Sequence, residues 1–190
     1  EALESYIAKD ELLQEYAYYL QKIKANGKYM LSDEVEETFS KLNATSGKAW
    51  EMMHNFLTST LEVEYNGGII NLSQARNLAY EDDVNVRRGA YEAELKAYNK
   101  IKDAIAFSLN SIKGQVITEC EMRGFESPLH QALNQACMKK ETLDALLSAI
   151  EDYLPVFQKY MKRKGELLGH ENGCPWYDLF APIFLYVKVI

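Results

Sequence analysis

Positive charge is what this chain has least to spare: 21 lysines and arginines stand against 28 acids, for a net charge of −7. Binding to a phosphate backbone needs a cationic face, and here the cations are scattered among acids, which excludes nucleic acid as a partner. Cysteine is scarce as well. Cys120, Cys137 and Cys174 are odd in number and far apart, so no disulfide framework is expected, and Cys120 reads as a core thiol. Only three histidines occur. His170-Glu171 starts like the zinc helix of a metalloprotease, but the fifth position is Cys174, and Asn172, Gly173 and Pro175 forbid the helix that would align two ligands. That stretch reads as a polar loop, and His54 and His130 read as surface or packing residues. No nucleophile elbow and no phosphate-binding loop is present. No apolar run approaches the roughly 18 residues of a membrane span, and Glu1-Ala2-Leu3-Glu4-Ser5 lacks the layout of a signal peptide, so a cytoplasmic location is expected and a membrane is not.

What remains is helical pattern. Leu3, Ile7, Leu12, Leu13, Tyr16, Leu20 and Ile23 predict one helix over most of Glu1 to Ala25, closed by Asn26-Gly27. Tyr16, Tyr18 and Tyr19 read as half-buried packing residues of that helix or the lining of a groove. Ser32, followed by Asp33, Glu34, Glu36 and Glu37, predicts the capped start of a second helix, and a third is expected over Lys48 to Leu57. From Asp83 to Gly124 there is no proline, and apolar residues recur from Tyr91 to Cys120 at steps of three or four. This is one very long helix, roughly 60 Å at 1.5 Å per residue, or two nearly fused ones. On it Glu92 with Lys96 and Glu119 with Arg123 are expected to pair on the solvated face. Ser73 and Ser127-Pro128 predict further helix starts, and Pro155 is expected to break or restart the helix that follows Glu141.

Once, between Leu61 and Leu72, the period changes from helical to two. Leu61-Glu62-Val63-Glu64-Tyr65 and Ile69-Ile70-Asn71-Leu72 flank Asn66-Gly67-Gly68, the strongest short signal of a β-hairpin. The fold class is therefore mainly all-α, a multi-helix array with one very long helix and a single hairpin. Three regions follow: residues 1–80 with the hairpin at 61–72, residues 81–182 with the long helix and a helical bundle, and an apolar tail at 183–190.

Several stretches resemble the N-terminal region of the oligoendopeptidase F family, within the thimet-type zinc peptidases. They are Leu31-Ser32-Asp33-Glu34-Val35-Glu36, Asp82-Asp83-Val84-Asn85-Val86-Arg87-Arg88-Gly89-Ala90-Tyr91, Leu109-Asn110-Ser111-Ile112-Lys113-Gly114, Arg123-Gly124-Phe125-Glu126-Ser127-Pro128-Leu129, and Tyr160-Met161-Lys162-Arg163-Lys164 running to Trp176-Tyr177-Asp178-Leu179-Phe180-Ala181-Pro182. Their order agrees from about Leu31 to Pro182. The resemblance implies a larger helical enzyme whose channel admits short peptides and whose zinc is held by a His-Glu-x-x-His helix. This chain contains no such helix. Neither catalytic nor metal-binding residues are therefore expected in it, and zinc belongs to the parent family. The resemblance makes the chain a non-catalytic wall of the peptide channel, with Tyr65, Asn66, Gly67 and Gly68 as the candidates that reach towards substrate. The other reading from the residues is a stand-alone helical interaction module without activity, self-associating through its long helix and apolar tail.

Overall fold

The computed structural model describes residues 2–183 of the 190. Apart from Ile183, the apolar tail lies outside the described residues. The first helical run is divided into α1 (Ala2–Ile7), α2 (Glu11–Glu15) and α3 (Ala17–Asn26), where one helix was expected. The cause is Asp10, whose carboxylate accepts from the backbone N–H of Leu12 and Leu13 at 2.9 and 3.2 Å. An acceptor of that kind starts a helix, so the chain must turn before it. Lys24 then reaches Glu4 at 2.7 Å and ties α3 to α1. Gly27 does not need its conformational freedom here, since it stays right-handed with φ −54°.

Next come α4 (Asp33–Asn43) and α5 (Gly47–Ser59). Ser32 occupies the cap position of α4 without donating or accepting a capping bond through its side chain. Glu36 in the first turn reaches back past the cap position, accepting from Leu31 N at 3.0 Å and tying the entering chain to the helix. Strands β1 (Glu62–Tyr65) and β2 (Gly68–Asn71) pair antiparallel, Val63 opposite Ile70 and Tyr65 opposite Gly68. Helix α6 (Leu72–Asn77) follows, and its cap is Asn71 in a reciprocal box with Gln74, not Ser73. The side chain of Asn71 accepts from Gln74 N at 2.8 Å while Gln74 accepts from Asn71 N at 3.0 Å.

The proline-free stretch is the second of its two expected forms, α7 (Val84–Tyr98) and α8 (Lys102–Met122), separated by a tight turn. Asp83 caps α7 through Asn85 N. The turn brings Ile101 onto the core and lets Lys100 donate to Glu62 O at 3.2 Å. Helix α9 (Pro128–Gln135) opens on Ser127, which accepts from His130 N. The longest unbroken helix is α10 (Lys140–Leu167), 28 residues that run through Pro155. Proline removes one backbone donor and crowds one carbonyl, and the surroundings of Pro155 are wholly exposed, so the helix bears the defect without a neighbour to disturb.

The core sits where the hairpin lies on α6 and α7: Leu61, Val63, Leu72, Ala75 and Ala97, with Ile70, Ala93, Tyr98 and Ile101 against them. A two-stranded hairpin is marginal alone, and this burial supplies what it lacks. Two expected surface pairs are placed differently. Lys96 reaches across to Glu64 on β1 at 3.1 Å instead of Glu92. Arg123 does pair with Glu119, at 2.9 Å, but the pair is half-buried and also holds Glu36. Among the described residues no helix is long and apolar enough to cross a membrane.

Candidate functional site

Two adjacent faces of α7 carry the features of interest. On the first lies the hairpin. Asn66 and Gly67 take positive φ, 50° and 76°, the left-handed pair that a two-residue turn between twisted strands requires. Tyr65 is half-buried and turned down onto α7, where its hydroxyl donates to Val86 O at 3.5 Å. Its ring passes over Gly89, where an added Cβ would stand 3.4 Å from Tyr65 Cε2. Asn66, Gly67 and Gly68 are exposed at the tip. Of the four candidates named from sequence, one therefore anchors the hairpin and three project. Glu64 steadies the outer face of β1 through Lys96 and Lys100, and Lys96 first, then Lys100, holds its carboxyl below the usual range.

On the second face is a cavity of about 410 Å³. Ala75 and Ala90 form its floor, and Tyr80, Tyr91, Trp176, Tyr177 and Phe180 its walls. Arg76 and Glu94 close one rim with a bond of 2.8 Å, and Tyr98 donates to the same Glu94 oxygen. Burial, then the bond to Glu94, pushes the Tyr98 phenol up, and Glu94 pushes Arg76 up.

Beneath that cavity lies a buried charge cluster that sequence reasoning missed. Arg87 is 2% exposed and Asp178 is fully buried. Arg87 Nε and Nη2 each stand 2.7 Å from Asp178 Oδ1, while Nη1 donates to Glu81 O and Asp82 O at 2.7 and 2.8 Å. The second carboxylate oxygen of Asp178 faces His170 Nε2 at 2.6 Å. Around this core, Arg88 donates to the Tyr177 hydroxyl at 2.9 Å and Lys164 donates to Leu179 O at 2.7 Å. The cluster fastens the loop after α10 to the start of α7. Its only signal in the sequence is that both partners sit inside the stretches that carry the family resemblance, Arg87 before Gly89 and Asp178 after Tyr177.

His170 and Asp178 are donor types that ligate metal, but Arg87 already occupies Asp178 and a guanidinium repels a cation. Among the described residues no three His, Cys, Asp or Glu side chains come together as a metal site. The residues present do not fit zinc. Cys174 is no better a ligand, since burial pushes its thiol up. His54 lies beside Asn55 at 3.4 Å, and His130 packs edge-on against Phe125 and Tyr29. Cys120 is buried as expected. Tyr16, Tyr18 and Tyr19 are more than half exposed, and of the three Tyr18 lines a cavity together with Lys22, His130, Leu133 and Cys137.

Comparison with known proteins gives a consistent set of relatives. A family model described as Oligopeptidase F matches residues 1–62, which extends the resemblance into the first thirty residues. Group B oligopeptidase PepB of Streptococcus agalactiae is 24% identical over 187 residues, covering 95% of this chain and 31% of the relative. Oligopeptidase PepF of Bacillus subtilis is 21% identical over 187 residues, with 95% and 28% covered. The crystal structure of oligoendopeptidase-F from Enterococcus faecium shares the fold with a TM-score of 0.78 at 22% identity, over 96% of this chain and 37% of that one. The chain thus spans about a third of the length of the curated relatives it matches.

Proposed function

We propose, from the premise that this chain corresponds to the N-terminal region of oligoendopeptidase F, that it is the non-catalytic part of a zinc-dependent oligopeptidase and walls the channel for short peptides. The observation that carries this reading is the extent of the match: 95% of the chain aligns with an oligopeptidase, while a zinc-binding set is missing from the described residues. Hydrolysis then belongs to the part that holds the metal, where zinc supplies the activated water. The role left to this chain is to exclude bulk and to orient peptide, which a rigid surface does by contact rather than by chemistry.

The hairpin suits that role. Its strands are fixed on α7 by the buried core and by Tyr65 over Gly89, so the exposed Asn66-Gly67-Gly68 tip is a stiff projection and offers backbone polar groups to an extended peptide.

The test is a chimera in which this chain replaces the corresponding third of PepB. It is expected to cleave an internally quenched peptide, to lose activity with a chelator and to regain it with zinc, while the isolated chain cleaves nothing. A Cβ at Gly68 would meet only Tyr65 O at 3.8 Å, so Gly68→Arg keeps the fold and places bulk at the tip. In the chimera it should raise KM about tenfold with kcat nearly unchanged, the pattern of a lost binding contact. An inert chimera that is folded and zinc-loaded, or kinetics indifferent to Gly68→Arg, would reject the wall and the hairpin respectively.

A further inference from the structure

Helix α10 leaves the body of the molecule uncovered. Every residue from 144 to 160 is exposed, yet Leu147, Ile150, Leu154 and Phe157 recur along it at steps of three and four. At about 100° per residue these side chains, with Leu146 and Tyr153, share an arc about 120° wide. At the C-terminal end the same arc is already used: Lys164 and Gly165 are buried there, Lys164 on Leu179 O and Gly165 against the backbone of Gly173. The apolar stripe is therefore the unfilled continuation of a packing surface that this chain has begun to cover.

Resting on the functional reading above, we propose that this stripe of α10 is the seam onto which the remaining two-thirds of the oligopeptidase docks. The occupant is a layer with an apolar face along Leu147 to Phe157 and a lysine or arginine facing Glu151 on its flank, since Asp144 beside it already holds Lys140 at 2.7 Å. A second copy fits poorly. It supplies no cation for Glu151: with the stripe centred near Asp152, antiparallel self-pairing sets Glu151 beside Tyr153, and parallel pairing sets that flank against Leu146 and Tyr153. The relatives are about three times as long as this chain and match it as their N-terminal part, which supplies a covering layer of the required size.

The experiment mixes the full chain with the separately expressed downstream two-thirds of PepB, reading affinity by calorimetry and amide exchange along α10. A one-to-one complex is expected, with exchange over residues 144–160 slowed at least tenfold. Ile150→Asp, in the middle of the stripe, should weaken it at least thirtyfold, while Ser148→Asp on the opposite face changes it less than twofold. The proposal is overturned if no complex forms, if Ile150→Asp binds like the parent, if α10 stays unprotected in the complex, or if the chain alone forms a dimer that Ile150→Asp dissolves. A complex sealed at α10 whose chimera cleaves no peptide would instead sink the channel-wall reading and leave the seam intact. An active chimera whose parts bind with α10 unprotected would do the reverse.

Discussion

Arg123, just beyond the end of α8, holds Glu36 in the first turn of α4 with two bonds, Nη1 to Oε1 at 2.6 Å and Nη2 to Oε2 at 2.9 Å. The pair joins segments 87 residues apart in sequence. Bidentate pairing of this kind fixes orientation as well as distance. Arg123 also donates to Tyr29 O at 3.2 Å, so three segments meet at one guanidinium.

Acid should release this clamp. The bond to Arg123, then that to Leu31 N, lowers the Glu36 carboxyl from its ordinary 4.5 to about 2. A carboxyl depressed on folding stabilises above its unfolded value, and that contribution disappears as pH falls from about 4.5 towards 2. Glu36→Gln is therefore expected to lower the thermal midpoint at pH 7 and to lower it progressively less as pH falls from about 4.5 towards 2. Melting curves across that range, parent against variant, decide it; a constant difference at every pH would rule the ion pair out.

Arg87 and Asp178 should behave as a unit. Removing one member of a buried pair strands a charge and costs about 3 to 5 kcal/mol, whereas replacing both by apolar residues of similar size is often nearly neutral. Arg87→Met and Asp178→Leu are each expected to destabilise severely in urea titrations, and the double variant to recover much of the loss. Losses that simply add would mean that the two side chains act separately.

How much of this was legible depends on the range of each interaction. The hairpin was readable because Asn66-Gly67 and the alternation around it act within four residues. The divided first helix left a trace too, since the step from Ile7 to Leu12 is five and Asp10 lies two before Leu12. Pro155 misled because a local cost was set against a single helix of 28 residues that absorbs it. The Arg87–Asp178 bond spans 91 positions, and no local pattern reports such a distance. Resemblance brought both stretches into view without showing that they touch.

Two helical glycines should respond oppositely to alanine, and together they test the packing of α10. Gly114 lies inside α8 with nothing within 4 Å of an added Cβ, so Gly114→Ala gains helix propensity, about 0.8 to 1 kcal/mol. Gly165 lies inside α10, where a Cβ would stand 2.8 Å from Gly173 C and 3.0 Å from Cys174 N. Those are backbone atoms of the loop pinned by Asp178, so they cannot swing aside as a side chain would. The same propensity gain is there outweighed by overpacking of about 1 to 3 kcal/mol. Gly165→Ala should lower stability, and it should speed amide exchange in the 170–180 loop while leaving the hairpin unchanged. If Gly165→Ala instead stabilised as Gly114→Ala does, the close approach of α10 to that loop would be wrong, and with it the placement of the helix whose open face extends from this contact.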